Sequence, residues 1–283
     1  MTTLKTTVLA DGFIFLEGPR WRDGRLWLSD MNDHKVYCVG LNGEKEVVAS
    51  VPAKPSGIGF LPDGTPLIVS MEDKRVNRLT QGALSLHADL GALAGGETND
   101  MVVDKAGIAH VGNHGFDLHA KEKFRPSVVI MVTPDGKASV VADEMRFPNG
   151  MAITPDGKSL VVAETFGRRL SIFQRAGDGT LSNRRVFAEL PNSSPDGICM
   201  DAEGCVWVAD VNQHCFVRVR DGGTITHRVE TGERHAIACQ IGGADGQTLF
   251  CLTTEGGIEN FGTQNTRSRI EVTQAPAAGA GSP

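Results

Sequence analysis

Apolar positions fall in short runs that recur along the chain with one layout. Each unit is an apolar strand, a turn usually carrying Asp-Gly, and a second apolar strand that ends in a polar residue. The first unit reads Arg20-Trp21-Arg22-Asp23-Gly24-Arg25-Leu26-Trp27-Leu28-Ser29-Asp30. The same layout returns at 57–70, 101–111, 151–164, 198–210 and 239–252. The turn residues have a mechanical reason: a tight hairpin needs positive φ, which Gly adopts without steric cost and Asp tolerates.

Further strand-like runs follow each unit, such as Lys35-Val36-Tyr37-Cys38-Val39 and then Lys45-Glu46-Val47-Val48-Ala49. Four strands per unit and six units predict an all-β fold, a six-bladed β-propeller with four antiparallel strands per blade. A lone blade cannot bury its own faces, so the units must pack in series. Residues 5–10 read as a strand ahead of the first unit and 268–273 as one after the last. One of them is expected to complete the final blade and close the ring. A single domain over 1–274 follows, with the small, polar stretch 275–283 expected to be disordered.

Composition narrows the function classes. The 283 residues are 40% hydrophobic and 22% charged, with 28 Lys plus Arg against 34 Asp plus Glu, a formal net charge of −6. Without basic clusters, this balance speaks against a nucleic-acid partner or an anionic membrane surface. No apolar run approaches the roughly 18 residues that span a bilayer, and no secretory signal opens the chain. Six cysteines (Cys38, Cys199, Cys205, Cys215, Cys239 and Cys251) form no C-x-x-C pair and mostly sit within apolar runs. They read as small buried hydrophobes of a reduced, cytoplasmic protein.

The residue just before each innermost strand is Glu17, Ser56, Asn99, Asn149, Asp196 or Ile237, spaced 39 to 50 residues apart. In a propeller these starts ring one mouth of the central channel. Four of the six carry carboxylate or carboxamide oxygens, a set suited to a hard divalent cation. Each could instead be a turn residue, since Asn149-Gly150 and Asp196-Gly197 are ordinary turn signals. Glu17-Gly18 is the least turn-like of the four.

Glu17-Gly18-Pro19, Asn99-Asp100, Phe147-Pro148-Asn149-Gly150-Met151 and Pro195-Asp196-Gly197 together resemble the SMP-30/gluconolactonase/LRE-like family over residues 8–255. The resemblance implies a propeller hydrolase with one divalent cation, Ca²⁺ ahead of Mg²⁺, Mn²⁺ or Zn²⁺, and a small-molecule substrate. It implies Glu17, Asn149 and Asp196 as metal ligands, and Asn99 as a further ligand or a substrate hydrogen-bonder. Sugar-acid lactonases of this type usually carry Arg two residues before that Asn. Here the position is Glu97, which puts an aldonolactone substrate in question but not lactone or ester hydrolysis.

The expected reaction is opening of a cyclic ester, with the cation polarising the carbonyl and a water attacking. Asp196 is the candidate catalytic base; it could also orient the water or attack directly. No G-x-S-x-G or H-E-x-x-H motif offers a serine or zincin alternative. The long stretch 113–126 is expected to overhang the mouth as a substrate lid or to form a surface loop, with His114 and His119 as candidate substrate contacts. Phe147 and Ile237 would supply an apolar wall. Asp30, Asn113, Glu164 and Asp210 end second strands on that face, either backing the ligands or simply terminating strands. Other readings are hydrolysis of other esters or organophosphates, or a non-enzymatic binding platform.

Overall fold

The computed structural model describes residues 1–118 and 120–281. Within them the chain is all-β, with two single-turn 3-10 segments, Thr165–Gly167 and Ile258–Asn260. Six antiparallel sheets stand as blades around one channel. Their innermost strands are Leu16–Arg22, Pro55–Phe60, Thr98–Val103, Pro148–Ile153, Pro195–Met200 and His235–Gly242. These strands are buried almost throughout, whereas outer strands such as Lys45–Ser50 are mostly exposed. The six-bladed expectation is met.

The core lies between the blades. Six apolar clusters each join two neighbouring blades, as Ile58, Phe60 and Ile68 of blade two pack on Val36, Ala49 and Val51 of blade one. Burying both faces of every sheet this way stabilises blades that could not fold singly. Closure uses both ends of the chain. Arg267–Gln274 is the third strand of blade six, and Thr7–Phe13 pairs with it antiparallel as the fourth. A short strand, Thr2–Leu4, adds in parallel to Ile225–Glu230 and makes blade five five-stranded. It covers an edge that would otherwise offer unpaired backbone.

Residues 275–281 depart from the disorder expected of 275–283, while 282–283 lie outside the described residues. Ala275 and Ala280 donate to the carbonyls of Gln247 (2.8 Å) and Met200 (3.0 Å), and Ala278 accepts from Ala202 (2.8 Å). Ala275 and Ala277 are buried, and Gly279 bridges Asp201. Small side chains, which suggested disorder, are what let this backbone lie flat on the strand ends. A Cβ on Gly279 would already meet Ile241 at 3.2 Å.

All six cysteines are buried and free. Burial pushes the Cys38 and Cys215 thiols up to about 12, so they are inert packing groups. No helix among the described residues is long and apolar enough to cross a membrane.

Candidate active site

A local irregularity recurs at the mouth of the channel. The pairing of each innermost strand with its neighbour slips at the same place: Glu17/Arg20, Pro55/Ile58, Thr98/Met101, Pro148/Met151, Pro195/Ile198 and Ala236/Ala238. Such bulges re-aim side chains. Neighbouring bulges approach so closely that a Cβ on Gly57 would meet the Met101 nitrogen at 2.3 Å, and one on Gly150 the Ile198 nitrogen at 2.4 Å. That contact explains the glycine after most ring positions. Blade three carries Asp100 there instead.

Glu17, Asn99, Asn149 and Asp196 all face one cavity of about 130 Å³ at this mouth. All four are at least nine-tenths buried. Asn149 donates to Thr165 Oγ1 (3.3 Å), Ser56 donates to Asn99 Oδ1 (3.4 Å), and Glu17 accepts from the Gly18 N–H (3.1 Å). The buried Oδ1 atoms of Asn149 and Asp196 accept no hydrogen bond from any described residue.

Electrostatics sharpen the picture. Burial pushes the Glu17 carboxyl well above its ordinary range, and Asp196 and Asp100 push it further. Burial and then Asp100 raise Asp196 as well, with Asn149 offsetting a part. Asp100 is raised by burial and pulled back by Arg20, which lies 3.1 Å away. The floor therefore holds more buried acid than its single guanidinium balances. Buried oxygens lacking donors, beside acids crowded together, are what a hard cation would relieve. Among the described residues no three His, Cys, Asp or Glu side chains cluster as a metal centre. An ion here would have to draw on the two carboxamides as well as the two carboxylates, and this donor set fits Ca²⁺ or another hard divalent ion.

The wall is built by a second repeat. Two residues before five of the six ring positions, a backbone carbonyl accepts from the residue that follows the second strand. Met31 donates to Phe15, Met71 to Lys54, and His114 to Glu97, each at 2.9 Å; Thr165 donates to Phe147 and Val211 to Ser194, each at 3.1 Å. Seven members of these pairs line the cavity: Phe15, Met31, Lys54, Met71, Glu97, His114 and Phe147. Lys54 is ion-paired with Glu72 at 3.0 Å, and His114 Nδ1 lies 3.9 Å from Glu97. Lys54 (φ +61°) and Phe147 (φ +63°) hold left-handed backbone immediately before prolines, a conformation that costs about 1–3 kcal/mol for such residues.

The expected site residues Glu17, Glu97, Asn99, His114, Phe147, Asn149 and Asp196 thus come together, while His119 lies outside the described residues. Ile237 packs with Phe15 and Val211. Part of the stretch 113–126 reaches the mouth: His114 and Leu118 line the cavity, and Phe116 packs on Phe147 at 6.2 Å and Phe166 at 6.0 Å. His110 points away, bonding the Gly179 carbonyl (2.8 Å). The strand-ending groups hold the inter-blade loops. Asp30 accepts from the Ile14 and Phe15 N–H groups, Glu164 from Arg146, and Asp210 from Ser194. Sequence reasoning missed Phe15, Met31, Lys54 and Met71, although their fixed offsets from the ring positions repeat visibly. It also missed the Arg20–Asp100 pair beneath the ring. A larger cavity of about 340 Å³ opens at the opposite end, but its charged Arg175 and Asp104 are already paired with each other.

Residues 15–255 match the SMP-30/Gluconolactonase/LRE-like region. The chain belongs to that family. Within the SMP-30/gluconolactonase/LRE-like family it is 26% identical over 250 residues to pentonolactonase XacC of Haloferax volcanii, covering 85% of this chain and 81% of that one. Two solved structures share the fold. Regucalcin from Agrobacterium tumefaciens, described as a calcium-binding protein, superposes with a TM-score of 0.78 at 21% identity over 99% of this chain and 98% of its own. A gluconolactonase from Xanthomonas campestris does so with 0.74 at 23% over 94% and 89%.

Proposed function

We propose that this propeller is a divalent-cation-dependent hydrolase that opens a lactone ring. The observation that carries the reading is the floor of the cavity. Two buried oxygens without donors, on Asn149 and Asp196, sit with a second buried carboxylate, Glu17, at the end of a ring-sized cavity. Relatives named pentonolactonase and gluconolactonase support lactone opening, and the calcium-binding relative supports Ca²⁺.

Glu17, Asn149 and Asp196 would hold the ion, with Asn99 as a fourth oxygen donor. When bound, the ion supplies Lewis-acid polarisation of the ester carbonyl and offsets the crowded acid. Asp196 takes the proton of the attacking water and returns it to the departing ring oxygen, so water adds across the acyl C–O bond and a hydroxy acid leaves. Asn99 orients the ring through its amide. Phe147 and His114, stacked at 4.5 Å and 12°, close one side and limit competing water. Six free, buried thiols suit a reducing compartment, and we place the enzyme in the cytoplasm.

The test is lactone hydrolysis followed by acid release in a pH-stat, before and after exhaustive chelation. Turnover should vanish with chelator and return on adding Ca²⁺ or Mn²⁺. Turnover untouched by chelation, in protein shown by elemental analysis to lack a stoichiometric ion, overturns the cation's role.

A further inference from the structure

Above its polar floor, the cavity is walled by Phe15, Met31, Met71, Leu118, Phe147 and Phe261. The aromatic part of this wall is braced. Phe147 stacks on His114 and packs on Phe166 at 4.8 Å, while Phe15 packs on Phe261 at 5.0 Å. Among the described residues the polar groups at wall level are Lys54, which is ion-paired with Glu72, and His114 and Glu97, which lie side by side. A polyhydroxylated ring would bring several hydroxyls against carbon, and each buried hydroxyl without a partner counts against binding. A ring bearing alkyl or aryl carbon would bury apolar surface there instead.

Charge points the same way. Among the described residues the one ammonium on the wall, Lys54, is paired, and Glu97 adds a carboxylate. A negatively charged substituent would approach that carboxylate while the Lys54 ammonium is already engaged by Glu72. Size bounds the ligand too, since a cavity of about 150 Å³ accommodates one benzene ring and this one is about 130 Å³.

We propose, on the lactonase reading above, that the pocket selects a compact, uncharged ring with an apolar substituent and discriminates against polyhydroxylated or anionic lactones. Phe147 and Met71 are the residues that set this preference, through contact with the substituent.

The experiment compares kcat/KM for a short-alkyl δ-lactone with that for glucono-δ-lactone, both of which expel an aliphatic alkoxide. The cation-loaded wild-type protein should favour the alkyl lactone at least tenfold. Phe147→Asn keeps a residue that tolerates the left-handed backbone and should collapse that ratio at least fivefold, chiefly through KM for the alkyl lactone. Should that variant fail to fold, Met71→Gln carries the same test without touching a strained turn. A 2-alkyl cyclohexanone, which cannot be hydrolysed, reads the pocket separately by raising the melting temperature. Preferred turnover of glucono-δ-lactone with no melting shift from the ketone overturns this inference and leaves the lactonase reading standing. A melting shift with no turnover of any lactone removes the lactonase reading and keeps the pocket's preference. An unchanged ratio in folded Phe147→Asn and Met71→Gln overturns the assignment to these residues.

Discussion

Arg20 and Asp100 meet across the central channel, Nη2 to Oδ1 at 3.1 Å, although 80 residues separate them. Arg20 comes from blade one and Asp100 from blade three, and Arg20 also donates to the Met101 carbonyl. The pair lies beneath the oxygen ring, where Asp100 helps raise both Glu17 and Asp196. Arg20 is thus the group that offsets part of the buried acid at the floor, lowering both Glu17 and Asp100.

Removing Arg20 should therefore cost far more than a surface charge. Arg20→Met strands Asp100, and breaking a buried pair costs about 3–5 kcal/mol. Urea denaturation at pH 8 should show that loss. It should shrink as the pH falls, because burial raises the Asp100 carboxyl and the orphaned group is relieved by taking up a proton. Adding Asp100→Asn to the variant should recover much of the stability.

Asp196→Asn should keep the fold and lose activity. Proton transfer by a positioned base is worth roughly 10²–10⁴-fold, so kcat should drop by at least about 10². In chelator the variant should melt no lower than the parent, since one of the crowded acids is gone. Wild-type turnover by the folded variant would remove Asp196 from the mechanism.

Cation binding should be readable as stability. An ion held only by the folded chain at 100 times its Kd adds about 2.7 kcal/mol, or several degrees in a chain of this size. Differential scanning fluorimetry with Ca²⁺ against EDTA should show this rise. It should be blunted in Glu17→Gln and in Asn149→Ala.

The chelated protein should lose stability as pH rises. Glu17 and Asp196 have folded pKa values raised by burial and by neighbouring acid. The folded state therefore keeps protons that the unfolded chain has released. Its advantage is complete below the ordinary carboxyl range of about 4 and is lost as pH climbs through the raised values. Saturating Ca²⁺ should flatten that decline, and Ca²⁺ affinity should increase with pH over the same window. Melting curves across pH with and without the ion check both.

Deleting residues 275–283 should lower the melting temperature by a few degrees without altering kcat/KM. The tail covers Met200 and Ile241 at the far ends of strands that begin at the mouth. A loss of turnover at unchanged stability would contradict that separation.

What was legible along the chain was the blade repeat and the polar residues that recur within it. The Asp-Gly hairpins and alternating strands gave six blades. The blade-length spacing of Glu17, Asn99, Asn149 and Asp196 gave the oxygen ring, because equivalent positions of a closed repeat must meet on the axis. A resemblance carried by the motifs around those residues added the expected chemistry. The wall residues Phe15 and Met71 were equally periodic, yet their types match core residues, so they look like packing until the inter-strand backbone bonds are seen to set them at the mouth.

Local pattern along the chain thus determined the fold and which oxygen side chains stand at the mouth, since hairpin geometry and repeat length act over a few residues. Only the closed ring decided the rest. The Arg20–Asp100 bridge, the crowding that raises Glu17 and Asp196, the seating of the 275–281 tail and the carbon-lined wall all arise between distant segments. Burial and Coulomb interaction depend on separation in space, and that separation exists only once the six blades have closed.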